Sequence, residues 1–480
     1  MHAPCLLSDD RGAAALPWLP RLSARCLLAL LVHGLAGCAS LPQAAAPGTS
    51  PVAPVAFSSA SGPLSPARSR AVLDGLDDPA TGSDILRRHL GHEEAINRGS
   101  PLVLGNRLTL LEDGPATYAA MFAAIRKARH HVNLETYIFE DGEIGETFAR
   151  LLRERQAAGV QVNLIYDSVG SLETPAAFFE ELAAAGVNVL EFNPVNPAKA
   201  SGKLWRLNNR DHRKLLIVDG STAFVGGINI SAAYSSGSSA RLFGRHRQPA
   251  GAGWRDTHLQ IDGPVVAEFQ QRFLDTWARQ DGPPLPDRHY FPKLARQGDA
   301  IVRAIASTAD TPDSQVYQTL LSAIDHAETS IYLTNAYFVP DPGLLDALAR
   351  AAGRGVDVRF ILPGKTDSWA VFHAGRSHYA SLLEAGVRLY ERRDAVLHSK
   401  TAVIDGVWST IGSTNLDWRS FLHNDEINAV ILGSDFGARL EAMFRRDLGE
   451  STEIEAQAWR RRSLWLRLQE RTARLFEYWL

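Results

Sequence analysis

"DHRKLLIVDG", residues 211–220, puts a histidine and a lysine two apart and an aspartate five further on, just before a glycine. "HSKTAVIDG", residues 398–406, does the same, so His212, Lys214 and Asp219 match His398, Lys400 and Asp405. Alternate side chains of a strand share a face, so each histidine points the same way as its lysine. Asp-Gly then marks a tight turn, and a second apolar run follows, "FVGGIN" in one case and "STIGSTN" in the other. Asn229 and Asn415 each stand 17 residues after their histidine (229 − 212 and 415 − 398). The chain has seven lysines against 43 arginines, yet both motifs use lysine, a compact point charge suited to a phosphate oxygen.

The agreement spreads outward from the motif. "YAAMFAAIRKARHHVNLETYIFEDG" (118–142) and "YQTLLSAIDHAETSIYLTNAYFVPD" (317–341) each read as a helical apolar period followed by a strand. "RQAAGVQVNLIYD" (155–167) matches "RAAGRGVDVRFIL" (350–362), and "LAAAGVNVLEF" (182–192) matches "LLEAGVRLYER" (382–392). Self-similarity at this period means two like domains rather than a solenoid. Helices alternating with near-continuous apolar strands predict an α/β fold with a covered sheet. The halves are expected at 85–295 and 300–480, with the boundary in the proline-rich "RQDGPPLPDRHYFPK".

At 480 residues, 45% hydrophobic and 21% charged, the chain can build large cores. A net charge of −3 argues against a general nucleic-acid binder, which would be basic. The cysteines are Cys5, Cys26 and Cys38, so no disulfide or cysteine–zinc framework is expected in the body. Arg21 and Arg25 precede the apolar run "CLLALLVHGLAG" (26–37), too short to span a bilayer and arranged like a secretory signal. "LAGC" (35–38) resembles a bacterial lipobox, which implies cleavage after residue 37, lipidation of Cys38 and a place in the bacterial envelope, facing the periplasm, at the outer membrane. The Ala/Pro/Ser/Gly-rich stretch that follows, 38–84, reads as a disordered tether.

The paired motifs, His-x-Lys-x4-Asp, resemble the signature of the phospholipase D superfamily. "GSTNLDWRS" (412–420) is similar to that family's continuation of the second motif, with Ser413 and Asn415 as supporting residues. "GWRDTHLQIDGP" (253–264) and "NDEIN" (424–428) look like the segments that supply acidic partners, here Asp256 and Glu426. "GNRLTLLEDG" (105–114) and "ARLFEYWL" (473–480) resemble the opening and closing of bacterial cardiolipin synthases. Members of that subgroup open with two transmembrane helices, where this chain has the lipobox-like stretch.

The resemblance implies two α/β sandwich domains, each a mixed sheet flanked by helices, related by a pseudo-two-fold axis with one site at their interface. It implies His212 as nucleophile and His398 as general acid/base. Asp256 and Glu426 orient the two rings, and Lys214, Lys400, Asn229 and Asn415 hold the phosphoryl oxygens. Asp219 and Asp405 belong to the motif but are expected to organise turns. Neither cofactor nor metal is expected. The implied substrates are phosphatidylglycerol or similar phospholipids, met at a membrane surface. Three readings stay open at this point: a phosphatidyltransferase making cardiolipin, a hydrolase releasing phosphatidic acid, and a non-catalytic phospholipid-binding lipoprotein. The C-terminal segment "AWRRRSLWLRLQERTARLFEYWL" fits an interfacial helix or a core-packing one. "SSGSSARLFGRHRQPAGAG" (235–253) reads as a loop whose Arg241, Arg245 and Arg247 face solvent or headgroup phosphates.

Overall fold

A computed structural model describes residue 41 and residues 53–76, 84–196, 198–199, 206–235, 253–309 and 314–480. The signal-like run, Cys38 and the Arg241–Arg247 loop lie outside the described residues.

Two sheets with the same internal order are built from the two halves. In the first, strands run in the spatial order Asn188–Phe192, Gln161–Asp167, His131–Thr136, Lys214–Val218, Thr222–Gly226, Thr257–Asp262 and Leu102–Glu112. In the second the order is Arg388–Arg392, Asp357–Pro363, Ser330–Asn335, Lys400–Ile404, Trp408–Gly412, Asn424–Leu432 and Ala300–Ser307. Three parallel strands joined by crossover helices precede the motif hairpin in each half, as the alternating helix and strand patterns predicted. The motif strands are wholly buried, which is why "KLLIV" and "KTAVI" lack a polar alternate.

The halves form one body. Leu102–Glu112 pairs antiparallel with Thr257–Asp262 of its own half and with Ala300–Ser307 of the other. Leu215, Ile217, Val225 and Ile261 interdigitate with Val403, Ile411, Ile427 and Ile431 in a single apolar core between the sheets. Burying such branched side chains contributes about 1.5–3 kcal/mol each, so the seam is held as firmly as either half's interior.

The tether expectation fails for residues 53–76. Phe57–Ser59 pairs in parallel with Leu102–Glu112, and Pro66–Asp74 is a helix capped by the Ser65 hydroxyl. Phe57, Leu73, Leu86, Leu90 and Leu102 pack among Ile324, Leu348 and Phe360 of the second half. The few apolar residues in this proline- and serine-rich stretch are placed where the second half's core accepts them. The expected boundary at residue 85 therefore cuts through a stretch that packs, as a whole, against the second half.

Candidate active site

Each motif histidine stands just before a central strand and is fixed by the opposite half. The backbone N–H of His212 donates to the carbonyl of Asp425 at 3.0 Å, and that of His398 donates to the carbonyl of Arg255 at 2.8 Å. Those reciprocal bonds set the register. The next residue along each partner segment, Glu426 in one case and Asp256 in the other, lands beside the imidazole. His212 Nδ1 lies 2.9 Å from Glu426 Oε1, and His398 Nδ1 lies 2.7 Å from Asp256 Oδ2. Each ring is thus oriented at Nδ1 by a carboxylate from the other half, an arrangement that fits the Nδ1–H tautomer and turns Nε2 away from the carboxylate.

The carboxylates are anchored in turn. Ser413 Oγ donates to Glu426 Oε2 at 2.5 Å, and the N–H of Thr257 donates to Asp256 Oδ1 at 2.7 Å. Gly227 occupies the position equivalent to Ser413, because a Cβ there would lie 2.3 Å from Asp256 Oδ1. The shorter aspartate needs the glycine, and the longer glutamate has room for the serine.

Lys214 Nζ donates to the carbonyl of His212 at 2.6 Å, and Lys400 Nζ donates to that of His398 at 2.5 Å. Both ammonium groups are buried, and burial pushes them down, Lys214 to about 7 and Lys400 to about 8. Burial, then both lysines, hold His212 and His398 well below the ordinary histidine range. Lys400 acts on His212, Lys214 acts on His398, and His212 itself acts on His398, so the two motifs share one electrostatic field. Burial pushes Asp256 and Glu426 up to about 7, against the pull of Lys400 and Lys214 respectively.

The other expected residues divide. Asn415 lies buried at the end of the hairpin, and its Oδ1, an acceptor, has no hydrogen-bond partner among the described residues, so only its side-chain NH2 is suited to donate to an anion. Asn229 is committed elsewhere: it accepts from the N–H of Ile138 at 3.3 Å and donates to the Tyr234 hydroxyl at 3.2 Å. That hydroxyl sits 3.0 Å from His398 Nδ1, so Asn229 meets the site through a tyrosine rather than directly. Asp219 and Asp405 are not in the cleft. At roughly 3.3 Å per residue each lies about 16 Å along the strand from its lysine. Asp219 accepts from the N–H groups of Arg129, His130 and His131, and Asp405 accepts from those of Glu328, Thr329 and Ser330. Although they belong to the motif, they build turns and are not catalytic residues, in keeping with their Asp-Gly setting. Both adopt positive φ, 52° and 54°, a conformation aspartate tolerates.

Several residues at the site escaped the sequence reading. Tyr137 packs edge-on to His212 with ring centroids 5.1 Å apart, and Lys214 Nζ lies 5.2 Å from the Tyr137 ring centroid. Tyr337 lies edge-on to His398 at 6.1 Å and donates to Asp367 at 2.6 Å. Trp254 sits 5.1 Å from the His398 ring. A signal for the two tyrosines was present. Thr136 and Asn335 pair with Lys214 and Lys400 across the sheet, so the residues just beyond those strand ends had to reach the cleft.

The family model for "Cardiolipin synthase, PLD-like domain" matches residues 121–238 and 320–448, one region in each half. Cardiolipin synthase of Geobacillus kaustophilus is 38% identical over 377 residues, 78% of this chain and 72% of that one. Cardiolipin synthase of Listeria monocytogenes serovar 1/2a is 35% identical over 382 residues, 79% of this chain and 77% of that one. Among solved structures, a phosphatidylserine synthase of Haemophilus influenzae superposes with a TM-score of 0.60 at 13% identity, covering 81% of this chain and 99% of that one, which supports the fold. With two matched regions and relatives of this identity and coverage, the chain belongs to the phospholipase D-like cardiolipin synthase family.

Proposed function

We propose that this chain transfers a phosphatidyl group between phosphatidylglycerol molecules, or from a related donor, making cardiolipin and releasing glycerol. The reading is carried by one observation above all: two imidazoles, each held by a carboxylate of the opposite half, lie in one buried field with two lysines. A phosphodiester repels nucleophiles, so attack needs a neutral nucleophile, cations beside the phosphoryl oxygens and an acid for the leaving alkoxide.

His212, kept neutral by burial and by the two lysines, attacks phosphorus through Nε2. The bond from phosphorus to the glycerol oxygen breaks, and phosphatidyl-histidine forms. Asp256 is pushed up to about 7, so the His398–Asp256 pair retains a proton near neutral pH, and His398 delivers it to the departing oxygen. His398 then takes the proton of a hydroxyl on a second phosphatidylglycerol. That oxygen attacks phosphorus and releases His212. Lys214, Lys400 and Asn415 hold the phosphoryl oxygens through both steps.

No helix among the described residues is long and apolar enough to cross a membrane. The lipobox-like Leu35–Cys38 supports an acyl anchor that keeps the enzyme at the bacterial envelope, where lipid hydroxyls are concentrated and compete with water. The test is turnover of phosphatidylglycerol by the purified chain, with products read by mass spectrometry. Cardiolipin and glycerol in equal amounts are expected. Phosphatidic acid as the main product would replace the transferase with a hydrolase, and no turnover would leave a binding protein.

A further inference from the structure

The C-terminal helix Leu464–Arg474 is amphipathic, but its apolar stripe faces away from the protein. Its buried residues are Glu470 and Ala473. Leu464 is 80% exposed, Trp465 64% and Leu468 54%. At about 100° per residue, these three and Leu475 fall within one arc of about 100°. Phe476 and Trp479 extend the exposed apolar surface past the helix end. Trp369 adds a further exposed indole from the helix Trp369–Arg376, whose Ala374 shares a small core with Ala473. An exposed apolar stripe of this kind marks an interaction site rather than ordinary surface composition.

Beside the stripe lies a cavity of about 340 Å³ lined by Arg460, Arg462, Arg467, Arg471, Arg474 and Glu470. Glu470 is taken by Arg462 at 2.7 Å. Glu384 and Glu477 reach Arg460 and Arg474, each at 3.4 Å. Arg467 donates to the carbonyl of Arg460, and neither it nor Arg471 has a carboxylate partner among the described residues. A cationic pocket flanked by outward-facing Trp, Leu and Phe is complementary to one surface above others: a bilayer carrying anionic headgroups, with apolar side chains among the acyl chains and guanidinium groups on the phosphates.

We infer that the helix Leu464–Arg474 and the turn after it are a membrane-docking face, with the arginine-lined cavity seating the phosphate of an anionic phospholipid headgroup. The turn after this helix packs on the segment that follows Asn415, whose Arg419 lies close enough to act on His212. Tyr478 packs on Trp418 with ring centroids 5.7 Å apart, and the N–H of Arg419 donates to the carbonyl of Leu480 at 3.3 Å. Docking here would hold the cleft at the bilayer surface without help from any acyl anchor. The inference draws its purpose from the phospholipid reading above, but its evidence is separate.

The test uses the full chain carrying Cys38→Ala, which removes any acyl anchor, sedimented with vesicles of phosphatidylcholine or an equimolar mixture with phosphatidylglycerol. The parent chain should favour the mixed vesicles by about 30-fold or more. R467Q/R471Q should erase most of that preference, about fivefold per arginine. W465S/L468S should weaken binding to both vesicles about tenfold or more. All four positions lie outside the site, so both variants should keep the parent's turnover of soluble bis(4-nitrophenyl) phosphate. Vesicle binding by the variants equal to the parent's overturns the inference. So does loss of soluble turnover together with binding, or a lipid-free dimer that W465S/L468S converts to monomer. If no phosphodiester is turned over by any form, the proposed reaction fails while the binding comparison still decides the docking face.

Discussion

Gly227 shows how closely single residues tune this site. It leaves the space that the Asp256 carboxylate fills beside His398, and a methyl group there would sit 2.3 Å from Oδ1. Gly227→Ala should therefore displace Asp256 and lower kcat by about 10²-fold, the scale of a misplacement near 1 Å, with the fold retained by circular dichroism. The lysines set the pH response. Lys214 is pushed down to about 7 and Lys400 to about 8 by burial, so both lose their protons as pH rises through that range. The cleft then loses the cations that face the phosphoryl oxygens, and activity should fall on the basic side from about pH 7. Arginine stays charged there. A Lys214→Arg enzyme should be slower, and its basic limb, which loss of the His398–Asp256 proton still starts near pH 7, should become shallower because one of the two ionisations there is gone. A limb of unchanged slope in the pH–rate profile would remove Lys214 from this role.

At the scale of elements, each motif strand does two jobs at its two ends. The histidine end meets the opposite half, and the aspartate end ties the hairpin turn to the strand three parallel neighbours begin from. Asp405 also bonds His89 Nε2 at 2.9 Å. Burial would raise its carboxyl, but His89 and the N–H groups of Ser330, Thr329 and Glu328 bring it down to about 2. Its contribution to stability is present above the ordinary aspartate value near 4 and is lost as pH falls from about 4 to about 2. Asp405→Ala should cost about 2 kcal/mol and Asp219→Ala about 1 kcal/mol, since each removes a carboxylate that accepts from three backbone N–H groups and Asp405 also holds the buried His89. Urea unfolding measures this, and turnover of the folded fraction should be unchanged. These elements were legible in the sequence because buried strands repeat as apolar runs and Asp-Gly marks their turns. Which carboxylate would face which histidine was not legible, because that depends on backbone bonds between Arg255 and His398 and between Asp425 and His212, residues 143 and 213 positions apart (398 − 255 and 425 − 212). Tyr234 and Trp254 were missed for the same reason. They belong to the first half and surround the second half's histidine.

At the scale of the molecule, the duplication was read correctly in pattern, but the halves are less separate than two domains joined by a linker. Arg255 of the first half bonds Asp447 of the second at 3.0 and 2.9 Å, and Arg213 donates to the Ser307 carbonyl at 3.0 Å. Phe57, Leu73, Leu86 and Leu90 complete the second half's core although they precede the first half's sheet in sequence. Low overall hydrophobicity hid this, because a short strand needs only one well-placed Phe to be held. Phe57→Ala should cost about 3–5 kcal/mol in chemical denaturation, whereas a residue in a free tether would cost nothing. The proposed chemistry requires one shared site with a histidine nucleophile. Its most direct test is to quench the enzyme during turnover of phosphatidylglycerol labelled in the phosphate and map the label by peptide mass spectrometry. Label on His212, absent in His212→Asn and persisting longer in His398→Asn, is the expected result; label on neither His212 nor His398 while product still forms would contradict it.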